Sequence, residues 1–521
     1  MPPLHALCED DDPQLVFDDI HRHFQLSQET LTKLTTAFVD EIRLGLGSYN
    51  QAMAMVPTFV TGVPDGTETG TFLALDLGGT NMRVCEVILN GNKTFSIRQQ
   101  KYKVSEALKT GEATVLFDYL ADSVDAFLTM HATSAYVTPD ADPSETPDAI
   151  YLGLTFSFPV EQTALGSGKI LTWTKGFSAK NAIGKDVVKL LQDAFDRKHM
   201  HVRCVALVND TVGTLLSRAY TAGGCYLGAI FGTGTNGAYL EDVSKITKLA
   251  NSPTAARGGS MVVNTEWGAF DNSRSHLPST PFDNSLDRLS INPTFQAFEK
   301  FISGMYLGEI TRNILVALID AAPKPLLFSG KATPVLNKHY GLDTSVMSEV
   351  EGAWEGNGDT GIGQDYGVPA FGTFDADKLP APLRARLECI RVVVAKQLGF
   401  KNVEVSLRDA AIVRWACSLV ARRAALLSGV AVAATLIQTG RASLADADGQ
   451  HTLQTMTEKI WVGVDGSLIE HYPNFERILR ESLRALVGKD VETRVNIGLA
   501  KDGSGVGAAL CALQALKQDH A

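Results

Sequence analysis

Two stretches of this chain are built on one plan. Residues 71–91, TFLALDLGGTNMRVCEVILNG, and residues 225–243, CYLGAIFGTGTNGAYLEDV, each read as an apolar strand, a glycine-rich turn and a second strand. A shorter version, IWVGVDGSLIEHYP, occupies 460–473. Apolar strands meeting at a turn of this kind pair as hairpins, and their recurrence predicts a duplicated α/β unit with a cleft between the copies. TFSIRQQKYKV (94–104) predicts a third strand beside the first pair. Helices alternate with the strands: 185–197 places Val187, Leu190, Leu191 and Ala194 on one face, and 211–220 does so with Val212, Leu215, Leu216 and Ala219. The fold class expected is α/β.

At 521 residues the chain exceeds what one core supports, so two or more lobes are expected. With 45% hydrophobic and 20% charged residues it is not a disordered, collagen-like or coiled-coil chain. Its net charge of −11 argues against nucleic acid or an anionic membrane as the main partner. Seven dispersed cysteines without a CxxC pair read as free thiols, and the acidic MPPLHALCEDDDPQLVFDD start lacks the basic residues of a targeting segment, so a cytoplasmic location is expected. The most apolar stretch, 410–437, is interrupted by Arg414, Arg422 and Arg423, and no membrane-spanning segment is expected. Residues 133–149, 354–384 and 441–457 read as surface loops.

Several constellations carry polar chemistry. The first turn joins Asp76 to Gly78, Gly79, Thr80, Asn81 and Arg83. It reads either as a tight hairpin with incidental polar residues or as a phosphate cradle, in which backbone N–H groups and Arg83 meet phosphate oxygens and Asp76 holds Mg²⁺ through water. The second turn, Gly232-Thr233-Gly234-Thr235-Asn236-Gly237, matches GxGxxG, but a strand follows it where a dinucleotide site needs a helix. Gly166-Ser-Gly-Lys169 lacks two residues of a P-loop. Both motifs are rejected, leaving a Gly/Thr turn opposite the first, with Asp465-Gly466-Ser467 as a third. Gly503 and Ser504 open an alanine-rich helix, which suits either a nucleotide or close helix packing. Asn209-Asp210 follows the strand VRCVALV, where a carboxylate serves as helix cap or as general base. Ser157, Thr174, Lys175, Glu266 and Glu299 lie in apolar settings. A helix expected to begin near Asn292-Pro293 has Phe295, Phe298, Ile302 and Met305 as its apolar stripe, Glu299 at the edge and Gln296 one turn earlier. Singly each polar residue reads as a structural contact; together they suit a polyhydroxylated ligand, whose every hydroxyl needs a partner once desolvated.

The run LGLTFSFPVEQTALGSGKILTWTKGF, joined in order by LDLGGTNMRV, LVNDTVGTL, IFGTGTNGAY, NTEWGAFDN, FEKFISGMYLGE, VGVDGSLIE and AKDGSGVGAAL, resembles the eukaryotic hexokinase family nearly end to end, nearest its fungal glucokinases. The resemblance implies a two-lobed, actin-like (ribonuclease H-like) fold with sugar and ATP in the cleft. The implied small lobe is 72–208 plus 500–521, and the large lobe 1–71 plus 209–499. The implied reaction is ATP-dependent phosphorylation of D-glucose at the 6-hydroxyl, the first step of glycolysis; a broad hexokinase acting on mannose and fructose, or a non-catalytic glucose sensor, are the alternatives. Asp210 resembles the catalytic base, with Lys175 and Arg83 stabilising charge. Ser157, Thr174, Lys175, Asn209, Asn236, Glu266, Gln296 and Glu299 resemble the sugar-binding set. Asp76, Gly78, Gly79, Thr80, Asn81, Arg83, Gly232, Thr233, Asp465, Gly466, Ser467, Gly503 and Ser504 match nucleotide turns, and Lys101 a basic residue near the phosphates. ATP and Mg²⁺ are implied, the metal arriving with ATP and not held directly by the protein. One departure concerns the sugar: Asn292-Pro293-Thr294-Phe295-Gln296 stands where many members have Asn-Pro-Gly-Gln-Gln.

Overall fold

The computed structural model describes residues 12–78, 81–131, 149–173, 176–250, 252–356, 368–445 and 458–519, and these contain thirteen strands. In chain order they are β1 (Val56–Pro57), β2 (Thr69–Leu77), β3 (Asn81–Asn90), β4 (Phe95–Lys103), β5 (Ile150–Phe156), β6 (Val160–Ala164), β7 (Ser167–Ile170), β8 (Val202–Val208), β9 (Leu227–Phe231), β10 (Thr235–Asp242), β11 (Ser260–Asn264), β12 (Ile460–Asp465) and β13 (Val495–Leu499). One sheet has the order β4-β3-β2-β5-β8, a second β1-β11-β10-β9-β12-β13, and β6 with β7 form a separate hairpin. The turn between β6 and β7 contains the glycine run rejected above as a P-loop.

The two sheets repeat one design. β2 and β9 each return as an antiparallel partner, β3 and β10, and each has parallel strands on its other side. The third version differs from expectation: β12 runs into a helix, Ser467–His471, and not into a second strand. β12 is already flanked by β9 and β13, so no free edge remains for a returning strand, and Gly466 at φ 114° turns the chain away.

Helices cover the sheets. The helix Val187–Arg197 starts two residues later than expected because Asp186 takes the N-cap, accepting from the Lys189 N–H at 3.0 Å. Val187, Leu191 and Ala194 are buried as the spacing required, while Leu190 is half-buried. The apolar stretch 410–437 lies within one 32-residue helix, Leu407–Gln438. By length and composition it is apolar enough to cross a membrane, but 89% of its most apolar window is buried inside the protein. Arg423 on that helix is wholly buried, bonded twice to Asp283 at 2.6 and 2.8 Å and sandwiched between the rings of Phe24 and Phe301. Another helix is shorter than expected: it runs only from Ala297 to Ile302, because Thr294 and Gln296 adopt positive φ after Pro293. Phe298 and Ile302 are buried, whereas Phe295 faces solvent and Met305 is exposed at the start of a separate helix, Gly304–Ile319.

Three cores result. One lies between the five-stranded sheet and the helices Ala113–Met130 and Val187–Arg197; the largest lies on the six-stranded sheet. The third fills the space between the sheets and is built from the helices Asp210–Ala222 and Gly503–Asp519, rich in alanine. These helices cross at Gly213 and Gly507, where a Cβ on Gly507 would strike the Gly213 backbone and one on Gly213 would meet the Gly503 carbonyl oxygen at 2.6 Å. The six cysteines Cys85, Cys204, Cys225, Cys389, Cys417 and Cys511 are free thiols, as expected; Cys8 lies outside the described residues. Residues 133–148, 357–367 and 446–457 of the expected surface loops also lie outside them. The remainder of 354–384 contains the end of one helix and the start of another.

Candidate active site

The sugar-side candidates come from the ends of strands in both sheets. β8 delivers Asn209 and Asp210 to the start of a helix. The Asn209 Oδ1 accepts from the Thr211 N–H at 2.9 Å and the Thr211 hydroxyl at 2.6 Å, so Asn209 takes the capping role and Asp210 is the first helical residue. The Asp210 Oδ1 also accepts from the Thr211 N–H, at 2.9 Å. The positive end of the helix dipole favours an ionised carboxylate there, which is the state a proton acceptor needs.

Across the cleft, a hydrogen-bond relay runs toward one carboxylate. Asn236 on β10 donates from Nδ2 to the Asn264 Oδ1 at 2.8 Å, and Asn264 donates to the Glu266 Oε1 at 2.8 Å. Glu266 itself has φ 54°, a conformation disfavoured for a side-chain-bearing residue and held here at the end of β11. The next residue, Trp267, is fully buried and donates from its indole to the Thr235 Oγ1 at 3.0 Å. The Thr235 N–H donates to the Glu299 Oε2 at 3.0 Å, which ties the Ala297–Ile302 helix to the Gly/Thr turn. A pocket lies between the sheets, lined by Phe156, Phe158, Asn209, Asn264 and Glu266 among others. Ser157 is half-buried between the two phenylalanines of that lining. Phe158 stands edge-on to Trp173 and Phe177, which stack at 5.5 Å. Thr174 and Lys175 lie outside the described residues.

The phosphate-side candidates form a second group. Strand register places Thr155, Asp76, Arg83 and Lys101 in one row across four strands, hence on one face. Arg83 donates to the Asp76 Oδ2 at 2.6 and 3.1 Å and lies 3.9 Å from Asp502. Burial is the largest influence and works against its charge, but the charge and hydrogen bonding of Asp76, with Cys85 and Asp502 adding, together push its pKa up. Arg83 therefore has two carboxylate partners of its own in addition to anything bound in the turn. Lys101 is exposed on the edge strand and joins this group only through its register with Arg83. The hairpin closes through a Gly78 N–H to Asn81 carbonyl bond of 3.1 Å; Gly79 and Thr80 lie outside the described residues.

The second and third turns pack back to back. A Cβ on Gly466 would meet the Phe231 carbonyl oxygen at 2.6 Å, and one on Gly232 would meet the Gly466 Cα at 3.1 Å. The carbonyls of Gly232 and Thr233 accept from the N–H groups of Gly304 and Met305 at 2.8 and 3.1 Å, so the turn is tied down from below. Ser467 begins the short helix beyond this contact. Burial pushes the Asp465 carboxyl above the usual range; the Gly466 N–H, 2.7 Å away, partly offsets this, and the charge of Asp210 adds to the rise. At the C-terminal helix the packing reading of its glycines is seen: Gly503 packs on Gly213, and the Ser504 carbonyl oxygen accepts from the Thr155 hydroxyl at 2.8 Å beside the Asp76–Arg83 pair.

Among the described residues, no group of three or more His, Cys, Asp or Glu is arranged to hold a metal ion. The cleft does carry an excess of carboxylates. Asp76 and Asp502 act on Arg83, and Asp210 and Arg83 act on Asp465. Hard oxygen donors with one guanidinium among them fit a Mg²⁺ carried by phosphates and reached through water. Sequence reading missed Asn264 and Asp502, and took Thr235 only as a member of the Gly/Thr turn. Asn264 stands two residues before Glu266 in NTEWGAF, and its central place appears only when β10 pairs with β11, setting Asn264 opposite Ala238.

Comparison with known proteins gives a uniform result. Two family models, both described as Hexokinase, match residues 16–220, and 226–361 with 372–514. A glucokinase of Aspergillus niger is 39% identical across 96% of this chain and 97% of its own length. Glucokinase-1 of Saccharomyces cerevisiae is 37% identical across 96% of each. A solved hexokinase from Schistosoma mansoni in complex with glucose is similar over 97% of this chain and 100% of that one, with a TM-score of 0.77 and 35% identity.

Proposed function

The chain belongs to the hexokinase family, and from that premise we propose that it transfers the γ-phosphoryl group of ATP to the 6-hydroxyl of D-glucose, giving glucose 6-phosphate and ADP. It is a hexose kinase with the two-lobed, actin-like fold of that family. The observation that carries the glucose reading is the pocket between the sheets, where Asn209 faces the relay Asn236–Asn264–Glu266. A sugar presents hydroxyls that each donate and accept, so a desolvated sugar needs amide donors and carboxylate acceptors on opposing walls. Such a site rejects analogues lacking a hydroxyl because its own polar groups would then be left unpaired.

In this reading Asp210 takes the proton of the 6-hydroxyl as the new oxygen–phosphorus bond forms and the bond to the leaving ADP oxygen breaks. Phosphoryl transfer is chiefly positioning and charge stabilisation. The Gly78–Arg83 hairpin, the Gly232-Thr233 turn, the Asp465-Gly466-Ser467 turn and the start of the Gly503–Asp519 helix are the proposed nucleotide cradle. Lys175, with Thr174, is proposed to reach sugar and phosphate from the loop between Trp173 and Phe177. Mg²⁺ would arrive with ATP and neutralise phosphate charge, with Asp76 and Asp465 holding its water ligands. The proposed lobes are 72–208 with 500–521, and 1–71 with 209–499, a division supported by the separate sheets and cores. The proposed location is the cytoplasm, supported by the free thiols.

The test is ADP release from MgATP by the purified protein without sugar and then with glucose, mannose, fructose or N-acetylglucosamine. Release favouring glucose is the expected outcome. Equal rates on several hexoses would make it a broad hexokinase, and no sugar-stimulated release from folded protein would leave a glucose sensor.

A further inference from the structure

The turn 290–296 carries this chain's departure from the family pattern and leads directly into Gln296 and Glu299, yet it has almost no apolar anchorage. Leu289, Ile291 and Phe295 are 50%, 82% and 53% exposed. What holds it is a buried ionic cluster centred on Asp287, the penultimate residue but one of the helix Pro281–Leu289. Both carboxylate oxygens of Asp287 accept from the Thr294 N–H at 3.1 Å. Its Oδ1 also accepts from Lys300 at 2.7 Å and pairs with Arg274 at 2.9 Å. Lys300, itself buried, donates a second bond to the Asn292 carbonyl at 2.6 Å. One carboxylate and one ammonium thus grip the turn at two backbone points, and the first of them is a β-branched residue at φ 64°.

The turn's exit is equally determined. Gln296, at φ 56°, places its side-chain oxygen against Gly268, where no Cβ fits, two residues beyond Glu266. The Ala297 N–H donates to the Asn272 Oδ1 at 3.0 Å, and Glu299 reaches the Thr235 N–H from the first turn of the helix. Buried ion clusters are in general no more stabilising than apolar packing of the same volume, so stability alone does not account for this one. Its distinctive effect is to select one backbone path.

We propose that Asp287, acting through Thr294 and Lys300, is a positioning residue for the sugar site: it fixes the turn that sets Gln296 against Gly268, two residues beyond Glu266, and Glu299 against the Thr235 N–H. The inference rests on the glucose-kinase reading above. It is tested by steady-state kinetics of Asp287→Asn and Lys300→Met, each varied in glucose and in ATP. The expected result is a KM for glucose raised about tenfold or more, with kcat within about threefold and KM for ATP unmoved. A merely structural role would lower the folded, active fraction and hence kcat, leaving KM for glucose alone. Thr294→Gly keeps the gripped N–H and accepts the positive φ, so its KM for glucose stays within about threefold of wild type. Folded Asp287→Asn and Lys300→Met proteins with wild-type KM overturn the proposal. So does a Thr294→Gly variant with a KM raised as in the others, or failure of both cluster variants to fold, which would make the cluster a folding element. Wild-type protein without sugar-stimulated ADP release would instead overturn the glucose reading, a result the same assay separates.

Discussion

Asn209 takes the helix cap, and the neighbouring Asp210 is the proposed general base. Because Asn209 satisfies the Thr211 N–H and hydroxyl, the Asp210 carboxylate can be removed while the cap stays in place. Asp210→Ala is therefore expected to melt close to wild type while kcat falls by about 10²–10⁴-fold, the usual contribution of a general base. KM for glucose should move far less. A coupled assay of kcat alongside a thermal melt checks both halves, and turnover comparable to wild type would refute the assignment. The sequence offered cap and base as alternatives at this pair, but not which residue takes the cap. The two residues occupy adjacent positions after the same strand, and the Thr211 hydroxyl bond to Asn209 is what assigns the cap. Asn264 was illegible for a related reason: its neighbours Asn236 and Glu266 belong to different strands or turns, and the register of β10 on β11 brings them together.

At the scale of elements, the paired strands of 71–91 and 225–243 were readable because apolar runs and glycine turns are local signals. The third version failed because it depends on a non-local fact, that β12 is already flanked on both edges. The helix expected near Asn292 failed similarly, since its start is set by positive φ at Thr294 and Gln296 and by the Asp287 cluster. Arg423 in the apolar stretch could be read as an interruption, but not as a residue whose charge is met by Asp283 from 140 positions away. The crossing of Asp210–Ala222 with Gly503–Asp519 makes a sharper case. The sequence allowed the terminal glycines to serve packing or a nucleotide, and the crossing shows that packing leaves no room for a Cβ at Gly213 or Gly507. Gly213→Val is accordingly expected to destabilise the protein by about 1–3 kcal/mol or more, the range for overpacked contacts. Denaturant unfolding monitored by circular dichroism measures this. An unchanged midpoint would mean that the two helices separate at no cost, contrary to the contact.

The whole molecule sets a problem that no single element solves. Water is a smaller acceptor than a sugar and always present, so a kinase of this kind must keep its proposed nucleotide turns and proposed base, Asp210, out of register until sugar binds. The architecture suits that requirement. Two sheets have their own cores, and between them lies a third core whose two helices cross at Gly213 and Gly507, with Ala508, Ala509 and Ala512 beside the crossing. Small residues at such a surface let packed helices slide with little repacking, which favours a shear or hinge motion over local unfolding. The proposed sugar pocket takes its walls from both sides of that seam, with Phe156 and Asn209 facing Asn264 and Glu266. A ligand that hydrogen-bonds both walls binds the closed form better than the open one, and only such differential affinity shifts the population. Glucose should therefore compact the protein. A fully compact chain of this length has a radius of gyration of about 24 Å, and small-angle scattering should place the sugar-free protein above that value and the glucose-saturated protein nearer to it. ADP release without sugar should be correspondingly slow. If the radius of gyration is the same with and without saturating glucose while sugar still stimulates turnover, the lobes do not close, and exclusion of water must come from the pocket walls alone.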